Sequence, residues 1–153
     1  MRDALETLRR FLLLLLLIGM AVTLAELWLL EHTEGWQQWI PFAVLGLGFL
    51  SGLIVLVRPA RANVRLFQAV MSVCIAAGVL GLYLHYHGNA AFELEMVPAL
   101  AGRELFWKAM GGATPALAPL AMAQFGLLGL ACTYRHPRLL AGASRGKHNE
   151  EDQ

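Results

Sequence analysis

The chain has 153 residues, 58% of them hydrophobic and only 15% charged, with five histidines, two cysteines and a formal net charge of +1. A water-soluble domain of this length needs far more polar surface, so the composition points to a protein whose solvent is lipid. The basic residues lie in short clusters beside apolar runs, a pattern of topology signals that gives no reason to invoke nucleic acid.

Residues 1–10 form a short charged head. Phe11 to Leu30 is an apolar run broken by a single charge, Glu26. Its length matches a hydrocarbon core of ~30 Å at 1.5 Å per residue. The rival reading is a secretory signal peptide, with Arg9-Arg10 as its basic start and Thr23-Leu24-Ala25 as a weak cleavage site. The run is long for such a peptide, so a retained helix is expected.

Residues 31–38 make a short polar loop flanked by Trp36 and Trp39, as interfacial aromatics flank a span. The second span is Ile40 to Val57, with Pro41 tolerated in its first turn. Gly48 and Gly52 form a GxxxG pair, read here as ordinary packing between helices. Pro59 ends this helix, and Arg58, Arg61 and Arg65 crowd the tight turn that follows. The third span runs from about Val64 to Tyr86, with Gly88 or Asn89 as its C-cap.

The longest connection covers residues 87–114. Within it Gly102 to Met110 reads as a short amphipathic helix in the interface plane, with Leu105, Phe106 and Met110 on one apolar face and Trp107 at its border. The fourth span runs from Pro115 to Tyr134, distorted by Pro119 a turn inside it. The fold expected is therefore all-α: an integral membrane four-helix bundle with four transmembrane helices and an interfacial helix in the second outer loop. Residues 1–134 form its single domain, and 135–153 a mobile polar tail.

Ten of the 12 lysines and arginines fall before span one, between spans two and three, or after span four; Arg103 and Lys108 are the exceptions. The positive-inside rule then places both termini in the cytoplasm, in what would be a bacterial cytoplasmic membrane, with loops 31–38 and 87–114 facing outward.

The candidate chemistry lies at that outer face. On span three, Cys74, Gly78, Gly81 and His85 recur on one helical face, and on span one Gly19, Thr23 and Glu26 do the same. Glu26 stands about 24 Å above Arg10 and His85 about 30 Å above Arg65, so the two are expected to approach one another with His87 or Glu93 close by. A carboxylate within a span is costly, so Glu26 is read either as a buried, hydrogen-bonded acid or as a ligand or proton relay.

Adding the loop residues gives a candidate metal set of Glu26, His32, His85, His87, Glu93 and Glu95. Imidazole with carboxylate suits zinc, iron, manganese or copper(II), although no diagnostic ligand spacing is present. Haem held by His32 with His85 or His87 is disfavoured, because those histidines sit at or beyond the edge of the spans. Cys74 and Cys132 fall at different depths, so no disulfide is expected, and C-x-x-C is absent. Gln124, near the midplane, is expected to hydrogen-bond between helices.

No nucleotide-binding or nucleophile motif appears. The expected function is that of a non-catalytic binding or complex subunit whose outer cluster holds a metal ion. Its partners would be lipid and other membrane subunits, or a second copy. The alternative is a membrane-embedded enzyme or redox subunit using a metal or haem at the outer face, so the question of enzyme activity stays open.

Overall fold

The computed structural model describes residues 2–139, with side chains from Ala4 onward. The expected tail beyond Leu139, with Arg145 and Lys147, lies outside the described residues. Five helices follow in order: α1 (Arg2–Leu29), α2 (Trp39–Val57, preceded by a 3-10 turn at Trp36–Gln38), α3 (Arg61–Met96), α4 (Gly102–Met110) and α5 (Leu120–Thr133). Among the described residues there is no strand. Three stretches, Ala4–Leu29, Trp36–Val57 and Arg61–Met96, are long and apolar enough to cross a membrane, while Leu120–Thr133 is a shorter apolar helix. The chain thus has the character of an integral membrane protein.

α1 packs on α2, α2 on α3, α3 on α5, and α5 back on α1, and α4 packs on α3. Each helix of this ring turns one stripe inward. On α1 the stripe is Leu13, Leu16, Leu17 and Met20, while Leu14, Leu15, Ile18 and Val22 of the same apolar run stay exposed. On α2 it is Val44, Leu45, Gly48, Ser51, Gly52 and Val55. A Cβ on Gly48 would meet Met20 and Met71, and one on Gly52 would meet Leu17 and Phe67. The GxxxG pair therefore serves packing between α1, α2 and α3.

Two helices differ from their expected extents. α1 begins at Arg2, where a helical turn is closed by an ion pair between Glu6 and Arg10, four residues apart, at 2.7 Å. α3 runs past Gly88 to Met96. A lone glycine costs a helix only about 1 kcal/mol, and the Ala90 to Met96 segment that follows is rich in good helix formers. Asn89, the other expected cap, is buried within the helix and its side chain is occupied elsewhere. The other end of the loop goes the opposite way. Pro119 has no N–H to give Pro115, so residues 115–119 form turns with i to i+3 bonds, and regular helix begins only at Leu120.

Candidate functional site

The expected stripe on α3 is present, and it meets α5. Gly78 lies so close that a Cβ there would stand 2.6 Å from the backbone nitrogen of Ala123, and a Cβ on Gly126 would stand 2.5 Å from the carbonyl oxygen of Met71. A Cβ on Gly81 would meet Pro119 at 2.6 Å. Among the described residues, the side-chain polar contacts across the seam are few. Gln68 Nε2 donates to Thr133 Oγ1 at 3.2 Å, and Cys74 Sγ donates to the Met122 carbonyl at 3.2 Å. Both cysteines are free and buried.

Towards the end of the bundle where α1 and α3 finish, His85 Nδ1 lies 3.1 Å from the carbonyl oxygen of Pro115. A carbonyl only accepts, so His85 carries a proton on Nδ1. Four residues on, Asn89 is 3% exposed and its side chain is fully engaged. Nδ2 donates to the carbonyls of Ala109 at 2.8 Å and Thr114 at 2.7 Å, while Oδ1 accepts from Thr114 N at 3.2 Å and Thr114 Oγ1 at 2.7 Å. The Asn89 amide thus ties the end of α4 and the loop before α5 to the upper part of α3. Gly112 is required there, because a Cβ would stand 2.6 Å from Asn89 Cγ. Beside the clamp, the Phe106 ring of α4 packs at a tilt against Tyr86, at a centroid distance of 5.9 Å, and edge-on against Trp107 at 5.2 Å. Of the face expected on α4, Leu105 and Met110 are half-buried, Phe106 stays more exposed, and Ala109 is the residue fully buried.

The candidate metal set does not assemble. Among the described residues, no group of three or more His, Cys, Asp or Glu side chains is placed to hold a metal ion. This corrects the expectation that Glu26, His32, His85, His87, Glu93 and Glu95 bind zinc, iron, manganese or copper. The reasons are geometric. Glu26 is exposed, and no hydrogen bond or ion pair joins it to His85 among the described residues. The stripe carrying His85 packs on α5 and the Pro115 turn, away from the partner the sequence suggested. His87 is two residues from His85, about 200° around the helix, and its ring lies 4.4 Å from that of Tyr83. Because α3 continues, Glu93 and Glu95 rise about 12 and 15 Å beyond His85 along the axis instead of folding back over it.

Only His32 and His85 come together, with ring centroids 6.5 Å apart. Burial, and then the neighbouring His85, hold the His32 imidazole below its usual pKa. His32 reaches this position through the end of α1. Glu31 has φ 53°, His32 N donates to Leu27 O at 3.1 Å and Glu31 N to Trp28 O at 3.1 Å. This is a Schellman motif with glutamate in the position where glycine is favoured. Gln124 is exposed on α5, so its expected interhelical bond is made by Gln68 instead.

Among the described residues, no buried side-chain nitrogen or oxygen lacks a partner. The polar groups of the seam are thus satisfied by the chain itself, and their chemistry is that of a lock between elements. Asn89 was the residue missed. It lies four positions after His85 on the same stripe, so extending that stripe by one turn would have found it. Comparison with protein-family models, with curated proteins and with solved structures finds no match.

Proposed function

We propose that the chain is a four-span integral membrane protein with both ends in the cytoplasm. It acts as a non-catalytic subunit whose outward platform, α4 strapped to the top of α3, binds another membrane subunit or a second copy of itself. The Asn89 clamp is the observation that carries this reading. Four hydrogen bonds from one buried amide hold a short helix and its loop rigid, and a surface fixed in advance binds without a further ordering cost.

Length supports the placement. The 36 residues of α3 extend about 54 Å, so its upper turns outlast a core of ~30 Å. The 14 residues of α5 give only about 21 Å, and the turns over 115–119 add roughly 10 Å at the tighter 3-10 rise. Together they suffice for a fourth crossing. Phe106 and Trp107, both exposed on α4, suit the headgroup level.

Two experiments test the two halves. Reporter fusions after Gln38 and after Gln153 are expected to report outside and inside respectively, and a cytoplasmic signal from the first overturns the topology. A photo-crosslinking residue in place of Trp107 is expected to trap one discrete product in membranes, and Asn89→Ala is expected to abolish it. No product, or one indifferent to Asn89, removes the platform reading.

A further inference from the structure

At the end of the bundle opposite His85, the first turns of α1 meet the turn that leaves α5. Arg9 Nη2 donates to the carbonyl oxygens of Tyr134 at 3.0 Å and Arg135 at 3.3 Å, 125 and 126 residues away in sequence. That turn is of type II. Tyr134 has φ −58° and ψ 126°, Arg135 has φ 48°, and His136 N donates to Thr133 O at 3.1 Å. The third position of such a turn favours glycine, yet here it holds an exposed arginine in a strained backbone conformation.

The charge at this corner is one-sided. Across residues 4–10 and 133–139 the only carboxylate is Glu6, and Arg10 takes it at 2.7 Å. The side chains of Arg135 and Arg138 have no ion-pair partner among the described residues. His136 lies within reach of both Arg9 and Arg138, whose positive charges, after burial, press its imidazole below the usual pKa against the opposing pull of Glu6. Exposed apolar groups adjoin the cations in the chain: Leu8 beside Arg9, Phe11 beside Arg10, and Tyr134 beside Arg135.

We propose that Arg9, Arg135 and Arg138 form a binding site for the phosphate of an anionic phospholipid headgroup. Guanidinium groups match phosphate oxygens by paired N–H donors. Arg9 is already fixed by two carbonyls, so it meets a headgroup with little ordering cost, and the neighbouring exposed Leu8 suits an acyl chain. A headgroup here bridges the start of α1 and the end of α5, the two helices that close the ring. The inference rests on the membrane reading above, but it does not depend on which way the termini face.

The test uses the full chain purified in a neutral detergent, with phosphatidylglycerol, phosphatidylcholine or inorganic phosphate added to the micelles. Thermal stability and lipid retention in native mass spectrometry are recorded. Phosphatidylglycerol is expected to raise the melting temperature and to remain bound, and phosphatidylcholine and inorganic phosphate to do neither. Arg135→Gln with Arg138→Gln removes two cations at an anionic surface and is expected to weaken phosphatidylglycerol binding by about 30-fold. Arg103→Gln, on α4, is expected to leave it unchanged. Equal retention of both lipids overturns the proposal, as does undiminished binding by the double variant. An equal response to inorganic phosphate overturns the lipid as the ligand. Because binding in micelles has no sidedness, a failed topology prediction and a failed lipid prediction are read separately.

Discussion

His85 donates to the carbonyl oxygen of Pro115, which accepts an i+3 bond from Ala118 N but no i+4 bond, because Pro119 has no N–H. The break in the fourth apolar segment and the histidine at the top of the third are thus two halves of one contact. His85→Ala is expected to lower stability by about 1 kcal/mol, the net worth of such a bond. In a Pro119→Ala background the helix regains its own donor for Pro115, so the same substitution costs less. A double-mutant cycle by thermal unfolding in detergent measures the difference, and strict additivity would contradict the link.

Asn89→Ala strips partners from Ala109 O and from three groups of Thr114. Ala109 O is buried and leaving it unmade costs about 1–3 kcal/mol, whereas the groups of the exposed Thr114 can turn to water. Hydrogen exchange is expected to speed up over residues 102–114 while α1 and α2 stay protected. Asn89→Asp, which keeps the acceptor and loses both donors, is expected to fall between wild type and Ala.

The glycines divide by what surrounds them. Gly126→Ala drives a methyl into the Met71 carbonyl and is expected to cost 1–3 kcal/mol by the usual range for overpacking. Gly88→Ala meets nothing within 4 Å and is expected to stabilise α3 by up to about 1 kcal/mol, through helix propensity. Equal effects of the two in parallel melts would argue against the α3–α5 seam.

Glu31 occupies the left-handed position of the α1 Schellman motif, and its charge sits at a helix C-terminus where the dipole is also negative. Glu31→Gly relieves both and is expected to raise stability by about 1 kcal/mol. Glu31→Ala, which removes only the charge, is expected to gain less.

His32 and His136 both have lowered pKa values in the folded protein. The unfolded chain, with ordinary imidazoles near pH 6.5, therefore binds more protons than the folded one as the pH falls below that value. Stability is expected to be full above pH 6.5 and to decline as the pH drops toward the folded-state values. Melting temperatures taken across this range should show the slope, and His32→Gln with His136→Asn should flatten it. A slope of opposite sign would count against both environments.

Much of this architecture is legible in the amino-acid sequence. The apolar runs, the Pro59 turn, the glycine stripe on α3 and the helix at Gly102–Met110 follow from periodicity, from proline's missing donor and from segment length. These are local properties, and each is expressed within a few turns of chain. The sequence also placed His32 and His85 at one end of the protein.

Tertiary structure decided which faces meet. Along α1 every position from Phe11 to Leu17 is apolar, and leucine facing lipid is chemically the same as leucine facing a helix. Nothing local therefore selects Leu13, Leu16 and Leu17 for the interior, or leaves Glu26 outside it. The expectation of a metal site failed for that reason: it needed the His85 face to look toward α1, whereas glycine-to-backbone contact at Gly78 and Gly126 turned it toward α5. The continuation of α3 beyond Gly88 drew on both levels, the good helix formers of Ala90 to Met96 and the tertiary bonds of Asn89. A weak local stop was outweighed by a buried Asn89 whose four partners are brought to it by residues 20 to 25 positions away.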